Sequence, residues 1–399
     1  MSKYTFRIKP SKTIEGYFVH GCERNLFYSG LAGRDLKSFG LERPTGAGDI
    51  VAARAGENWE LFVVKNYIKA ETLLAAKNRD EKGNESYAKL DDEQTLEFLR
   101  SAVAAVKEDH IDRYIYQPKV YATDGFKERW FSFDPALYNG EDEYLRVDFT
   151  HMYPDLIRAS WDGEDGRVVL SVVDIKLTRR MKLSHKAQVT LYTMLLDQMV
   201  KSCGLEAAVD EARGYLWNGG MECEAAFSLK DVKQLLGEFF TSALPGLVKK
   251  IRDSILAGAE EQLKGRLESL VGVKCEWCEN ARQCLGEKKA EGSIQTIPYL
   301  SSYAQEYAKK LGAPGEIEGF SDYVKKEENR MLLSANRCWE YILEDDDILE
   351  VYRSGVPFEE RTGASYRWKK EKSMVLPRWQ DVTIFLTAQR YAGDGSVYA

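Results

Sequence analysis

Asp174 and Lys176 stand two residues apart at the end of an apolar, β-branched run, Val168-Val169-Leu170-Ser171-Val172-Val173. A run of that length and composition predicts a buried strand. Side chains on a strand alternate between faces, so the acid and the amine emerge side by side while Ile175 points the other way. Asp162-Gly163-Glu164-Asp165-Gly166 is a turn by its chemistry, and Leu156-Ile157-Arg158-Ala159 before it is a second strand. With the turn centred between Glu164 and Asp165, Asp155 falls opposite Asp174 at the open end of the hairpin. Asp148, the rival acid, overshoots that position. Directly opposed Cβ atoms lie about 4.5–5.5 Å apart. Two carboxylates that close repel each other, and a cation between them relieves the repulsion. The chemistry expected of Asp155, Asp174 and Lys176 is therefore that of a divalent ion with an amine at its side.

The cysteines form a second constellation. Their number, seven, is odd, and no secretion signal is evident, so ligation of a metal or cluster is expected rather than a disulfide framework. Cys275, Cys278 and Cys284 are spaced C-x2-C-x5-C, and Cys22 lies far upstream. Such a set suits either a [4Fe–4S] cluster or Zn²⁺. Cys203, Cys223 and Cys338 lack ligand spacing and are expected to be small core residues.

These groups need a scaffold, and 399 residues with 44% hydrophobic and 30% charged content suffice for a large core and two domains. No long uncharged apolar run or lipidation motif is present, so a cytoplasmic protein without a membrane segment is expected. A formal net charge of −7 excludes a surface coated in positive charge for nonspecific nucleic-acid binding. It leaves room for a local basic channel, because phosphate attraction acts over about a Debye length.

The elements that must position the site read as follows. Thr5 to Thr13 is a strand or an extended arm. Gly48 to about Ala75 is a helix carrying Glu60, with Trp59, Phe62, Val63 and Tyr67 covering one side. A second helix runs from Glu93 to Lys107. Strands follow at Tyr114–Tyr116, Val120–Ala122, Trp130–Phe133 and Tyr144–Phe149, the first made an edge or bulged strand by Pro118. After the hairpin comes a basic stretch, Arg179, Arg180, Lys182 and Lys186, and a helix from Ser184, its expected N-cap, to about Lys201. Gln188 and Tyr192 share a face of that helix. Strands at 213–217 and 222–227 precede a long helix, 229–263, broken at Pro245.

From Thr296 to Leu343 the pattern is helical, with Tyr299, Tyr303, Tyr307 and Leu311 at helical spacing. Glu344-Asp345-Asp346-Asp347 is an acidic linker. Val382–Leu386 and Gly393–Tyr398 then read as a strand, a turn and the start of another strand. Stopping inside a hairpin leaves apolar surface uncovered, which points to a longer natural protein or to a partner chain completing the sheet.

Taken together, the residues resemble the RecB-like nucleases of the PD-(D/E)XK superfamily, in the branch that carries an iron–sulfur cluster. Pro154-Asp155, Asp174-Ile175-Lys176 and Gln188-Val189-Thr190-Leu191-Tyr192 match the family's order of aspartate, D-x-K and Q-x-x-x-Y, across roughly Tyr17 to Leu285. Gly56 and Glu60 resemble the G-x-x-x-E helix of lambda-exonuclease-like members, although many RecB-like members use histidine where Glu60 stands. Cys22 with Cys275, Cys278 and Cys284 is similar to the one-plus-three layout of AddB-type nuclease domains and CRISPR-adaptation exonucleases.

The resemblance implies an α/β, restriction-endonuclease-like core whose mixed central sheet is flanked by helices. Residues 1–292 would be the nuclease domain, closed by the four-cysteine cluster; residues 293–345 would be a helical segment, and 346–399 a linker and the start of a β-rich segment. It further implies Mg²⁺ or Mn²⁺ held by Glu60, Asp155, Asp174 and the Ile175 carbonyl, with Lys176 orienting the attacking water. Gln188 and Tyr192 would hold the site or the DNA backbone. Arg179, Arg180, Lys182 and Lys186 would contact phosphates, with His185 within reach of DNA; His20, His110 and His151 would make ordinary hydrogen bonds. A [4Fe–4S] cluster is then favoured over Zn²⁺. The activity implied is a metal-dependent DNA nuclease, exo- or endonucleolytic, acting on single-stranded or end-containing DNA and working with a helicase or other protein in DNA repair, recombination or defence against foreign DNA. The alternative is a non-catalytic DNA-binding or scaffold subunit that keeps the fold and the cluster.

Overall fold

The computed structural model describes residues 2–41, 48–79, 85–130, 134–150, 152–267, 271, 275, 278, 280–297, 300–343, 389–390 and 397–398. The chain divides into two compact units, Met1–Glu268 and Ser269–Ala399, a division that falls before the C-x2-C segment.

In chain order the first unit contains β1 (Tyr4–Ile8), a π-helical turn (Pro10–Ile14), α1 (Glu15–His20), α2 (Glu23–Gly30), α3 (Gly33–Ser38) and α4 (Gly48–Asn66). Next come β2 (Leu73–Leu74), β3 (Ala76–Arg79), β4 (Glu85–Ala88), α5 (Asp92–Asp109), β5 (Arg113–Tyr116), α6 (Asp124–Trp130), α7 (Ala136–Asn139) and β6 (Leu145–Phe149). Then follow β7 (Leu156–Asp162), β8 (Arg167–Lys176), α8 (Leu183–Cys203), β9 (Ala208–Val209), β10 (Arg213–Asn218), β11 (Ala225–Ser228), α9 (Lys230–Glu238), α10 (Leu244–Leu256) and α11 (Leu263–Arg266).

The protein is mixed α/β. Its central sheet has the order β11-β10-β8-β7-β5-β2, with β9 beside β8. β8 runs parallel to β10 and antiparallel to β7. Lying between them, β8 is covered on both faces, which is why its sequence is a continuous apolar run rather than an alternation. Val168, Leu170 and Val172 face the large core built with α5 and α8. Val173 and Ile175 face a smaller core with Val63 and Val64 of α4, Tyr116, Tyr215 and Trp217. Side-chain parity therefore puts Asp174 and Lys176 on the α8 side of the sheet. Helix α8 is buried almost all round, from Ser184 to Val200, because it is the central helix of that layer. An Asp91–Gln94 capping box starts α5.

The structure redraws several of the expected elements. α4 ends at Asn66, and residues 73–79 enter strands instead of continuing the helix. The stripe expected on α4 is only partly a core face: Val63 is buried, whereas Phe62 and Tyr67 are exposed. Trp130 closes helix α6 rather than opening a strand; residues 131–133 lie outside the described residues. β5 is internal, between β7 and β2, since it ends at Tyr116 and Pro118 falls past the ladder. The N-cap of α8 is Lys182, and Ser184 is buried inside the first turn. The long helix after residue 229 is α9, a π-helical turn at Phe239–Ala243, and α10, with Pro245 in the first turn of α10, where its missing N–H is harmless. Among the described residues, no helix is long and apolar enough to cross a membrane.

The second unit holds α12 (Ala281–Ala290), α13 (Ser302–Lys310), α14 (Ile317–Val324), α15 (Glu327–Ser334), α16 (Arg337–Leu343) and a short hairpin, β12 (Gln389–Arg390) with β13 (Val397–Tyr398). Its helices pack around Phe320 and Trp339, whose rings lie 4.8 Å apart. The Trp339 indole donates to the Ala304 carbonyl at 2.7 Å. Ala304 and Ala308, not the tyrosines, form the buried face of α13, and Tyr303 is exposed. Tyr299, the acidic linker and Val382–Leu386 lie outside the described residues.

Candidate active site

The β7–β8 hairpin pairs Leu156 with Val173 through Asp162 with Arg167, the register expected from the turn chemistry. One step past the ladder, Asp155 meets Asp174. Asp155 Oδ2 accepts the Ile175 N–H at 2.6 Å, and the two carboxyl groups lie close enough for the charge of one to act on the other. N–H and C=O of one strand residue project to the same side, so the Ile175 carbonyl also faces this gap. Pro154, the residue before Asp155, has no N–H to offer it. The proline before the aspartate thus leaves a backbone oxygen beside the two acids.

Asp174 is 1% exposed. Lys176 Nζ lies 2.7 Å from Asp174 Oδ2, yet that oxygen has no hydrogen-bond partner, so the approach is an ion pair off the hydrogen-bonding direction. Burial pulls the Lys176 ammonium down, but Asp174, Asp155 and Glu15 outweigh it and hold the lysine above its usual range. Burial drives Asp155 upward, reinforced by the charges of Asp174 and Glu60, and Lys176 offsets this only in part. Asp155 therefore keeps its proton to higher pH than an ordinary carboxylate.

Glu60 arrives on α4. Gln117 Nε2 donates to Glu60 Oε1 at 2.6 Å, and Tyr116 also hydrogen-bonds the carboxylate. Burial raises Glu60 above its usual range; the Tyr116 and Gln117 hydrogen bonds oppose that, and the Asp174 charge adds to it. Gln117 is one of two non-glycine residues with positive φ among those described, at 42°. Its own N–H donates to the Asp155 carbonyl at 2.9 Å. A strained residue thus ties Glu60 to the start of β7.

α8 supplies the opposite wall. Gln188 Nε2 donates to the Tyr192 hydroxyl at 3.0 Å, both residues are buried, and Gln188 Oε1 has no partner. Burial, then the Asp174 charge, raises the Tyr192 phenol well above its usual range. His185, expected within reach of DNA, is instead buried with Nε2 3.4 Å from Glu15 Oε1. Burial pushes Glu15 up, but His185, Lys176 and Lys182 outweigh it and leave the group below the usual range. Asn218, buried and level with Lys176 on β10, borders the same corner.

No protein-family model matches the chain, and neither does any curated protein. The site stands on its geometry.

That geometry brings Glu60, Asp155, Asp174, Lys176, Gln188 and Tyr192 to one end of the sheet. Arg179, Arg180 and Lys182 are exposed between β8 and α8, while Lys186 sits over the Phe227 ring at 5.4 Å. Asp148 is elsewhere, on β6 beside Arg146. Sequence reasoning missed Gln117, Glu15 and Asn218; each is an isolated polar residue, and no spacing marks it. At Gly219, a Cβ would lie 2.1 Å from the Leu177 carbonyl. Only glycine allows the end of β10 to close against the residue that follows Lys176.

Among the described residues, no group of three His, Cys, Asp or Glu side chains is gathered to hold a metal ion. Glu60 is engaged by Gln117 and Tyr116 rather than completing a three-carboxylate cage. The donors that do converge are two carboxylates, one of them ion-paired with Lys176, and the Ile175 carbonyl. Hard oxygens of that number suit Mg²⁺ or Mn²⁺, which keep several water ligands.

The cysteines divide between the units. Cys22 precedes α2 in the first. In the second, the Cys278 N–H donates to the Cys275 carbonyl at 2.9 Å, a tight turn, and Cys284 is buried in α12. None of the seven forms a disulfide. Cys223 is exposed, not a core residue, and Cys203 and Cys338 are half-buried. His110 caps α5 with φ of 58° and stacks on Trp161; His151 lies outside the described residues.

Proposed function

We propose that this chain is a Mg²⁺- or Mn²⁺-dependent DNA nuclease built on a PD-(D/E)XK core, of the RecB-like, iron–sulfur branch, acting with a helicase or other protein in DNA repair or defence. The observation that carries the reading is the closure of Asp155, Asp174 and Lys176 at the open end of one hairpin. Asp155, Asp174 and the Ile175 carbonyl would hold the divalent ion, with Glu60 as a further carboxylate. The ion would supply Lewis-acid polarisation of the phosphate and a water of lowered pKa. Lys176, kept charged by its acidic neighbours, aims an ammonium at charge building on the phosphate oxygens. Gln188 and Tyr192 brace the Asp174 side of the pocket. Arg179, Arg180 and Lys182 neutralise backbone phosphates on the approach.

The test compares wild type with Lys176→Ala and Asp174→Asn on single- and double-stranded DNA in Mn²⁺. The expected loss in each variant is at least about 10²-fold, the effect of removing one preorganised charge. Equal degradation by all three proteins rejects the assignment. If none of them cleaves but all bind DNA, the non-catalytic subunit is correct. Cys22, Cys275, Cys278 and Cys284 would hold the [4Fe–4S] cluster, which an anaerobic visible absorbance spectrum reads directly. A colourless protein with bound zinc replaces that part of the reading.

A further inference from the structure

The Lys176 ammonium has three N–H donors, and the carboxylate it pairs with at 2.7 Å, Asp174, is also a ligand proposed for the divalent ion. An ammonium and a divalent ion repel each other strongly at contact distance, so Asp174 does not hold both on one oxygen. A lysine drawn off Asp174 Oδ2 has two courses. It turns to water through the 21% of its side chain that is exposed, or it meets an acceptor inside the corner.

Asn218 offers that acceptor. It is in register with Lys176 on the parallel strand β10, so both side chains leave the same face of the sheet, from strands about 4.8 Å apart. Asn218 is 2% exposed, and its Oδ1, shielded from solvent, meets no donor. A buried amide oxygen left without a donor is costly. Beside it stands a side chain with donors to spare. The backbone around Asn218 is tied to the segment after Lys176: the Gly219 N–H donates to the Thr178 carbonyl at 3.1 Å. Glu15 of α1, paired with His185, draws the same ammonium. Gln188 Oε1 also lacks a donor, but its amide is anchored to Tyr192 in the helical layer.

We propose that Asn218 is the positioning residue of Lys176: with Asp174 given over to a divalent ion, Asn218 Oδ1 accepts the ammonium and keeps it in the corner, facing the phosphate. This rests on the reading of the site as a metal-dependent nuclease and deepens it. Lys176 then has two seats, Asp174 in the ion-free protein and Asn218 beside the ion. In the second seat the ammonium stays oriented toward charge that builds on the phosphate oxygens. Without that seat the ammonium turns to water, and the transition state loses a fixed positive charge.

The experiment acylates the full chain with acetic anhydride and reads the Lys176 peptide by mass spectrometry, in EDTA and again in Mn²⁺, without nucleic acid. Asn218→Leu and Asn218→Ala remove the acceptor, whereas Asn218→Asp keeps one in place. In EDTA wild type and all variants label alike, because the ammonium sits on Asp174. In Mn²⁺ the two variants without an acceptor label about 10- to 100-fold faster than wild type, the value of a hydrogen bond to a charged group. Asn218→Asp labels as slowly as wild type. Variants without the acceptor that label like wild type in Mn²⁺ overturn the second seat. Faster labelling in EDTA as well overturns it too, and makes Asn218 a packing residue. Cleavage of DNA in Mn²⁺ is scored separately: both variants without the acceptor lose kcat by the same factor at unchanged KM. A wild type that shows the labelling contrast but never cleaves removes the nuclease reading and leaves the seat; a cleaving wild type whose variants label and cleave as it does has the opposite meaning.

Discussion

Replacing Lys176 by methionine keeps the length and apolar stem of the side chain and removes one charge. Its ammonium lies 2.7 Å from a carboxylate oxygen of Asp174, whose side chain is 1% exposed, while the lysine side chain is 21% exposed. Without it, Asp174, Asp155 and Glu60 face one another with no cation of the protein between them. Breaking a buried pair from one side costs about 3–5 kcal/mol. At about 2 °C per kcal/mol for a unit of this size, the midpoint of thermal unfolding falls by about 6–10 °C in EDTA at pH 8. The pH dependence follows from sign. A carboxylate whose folded pKa lies above its unfolded value destabilises the fold at high pH, and that penalty disappears as pH falls through the folded pKa towards about 4. The deficit of Lys176→Met therefore shrinks at pH 5. Asp174→Asn combined with Lys176→Met removes both charges and melts above the single variant. Circular dichroism melts of the three proteins at both pH values decide the matter. A single variant within about 2 °C of wild type at pH 8, under 1 kcal/mol on the same scale, refutes the account, as does a deficit that ignores pH.

Three more predictions concern the groups around that pair. Gln117→Gly relieves the positive-φ strain and loses the hydrogen bond to Glu60, each worth about 1 kcal/mol, so stability stays near wild type. The Mn²⁺ concentration for half-maximal cleavage should rise about 10- to 100-fold, and an unchanged metal dependence would show that Gln117 does not position Glu60. Because Asp155 keeps its proton to higher pH than an ordinary carboxylate, divalent-ion binding should release protons, the more so the lower the pH, and affinity should weaken as pH falls. Calorimetry in buffers of different ionisation enthalpy reads this, and Asp155→Asn should abolish the release. Gly219→Ala forces the Leu177 carbonyl to move, with an expected loss of about 1–3 kcal/mol on denaturant unfolding together with lower activity.

The central hairpin was legible because two independent codes agree there. The β-branched run fixes the strand, and the Asp162–Gly166 turn fixes its partner, so the Asp155–Asp174 facing pair follows from counting. Gln188 and Tyr192 were legible for the same reason, since helical spacing forces them together. α4 was misread at its end because Ile68, Leu73 and Leu74 continue an apolar pattern that the chain spends on a turn and a strand. Trp130 and its aromatic neighbours carry strand propensity, yet tertiary packing on Phe240, with Phe126 one turn back on the same helix, keeps Trp130 in a helix. His185 stands among basic residues in sequence, and only the fold reveals Glu15 against it. Gln117 has no local signature: its role comes from a backbone angle that glutamine seldom adopts.

The way the hairpin ends has an evolutionary corollary. Which face Asp155 occupies depends on parity: each residue inserted on one arm between Leu156 and Val173 would flip it to the other side of the sheet. A longer loop at 163–166 carries no such constraint as long as the apolar pattern of the arms keeps Leu156 paired with Val173. Insertions should therefore be tolerated at the tip and rejected along the arms, even though every position involved is remote from the carboxylates.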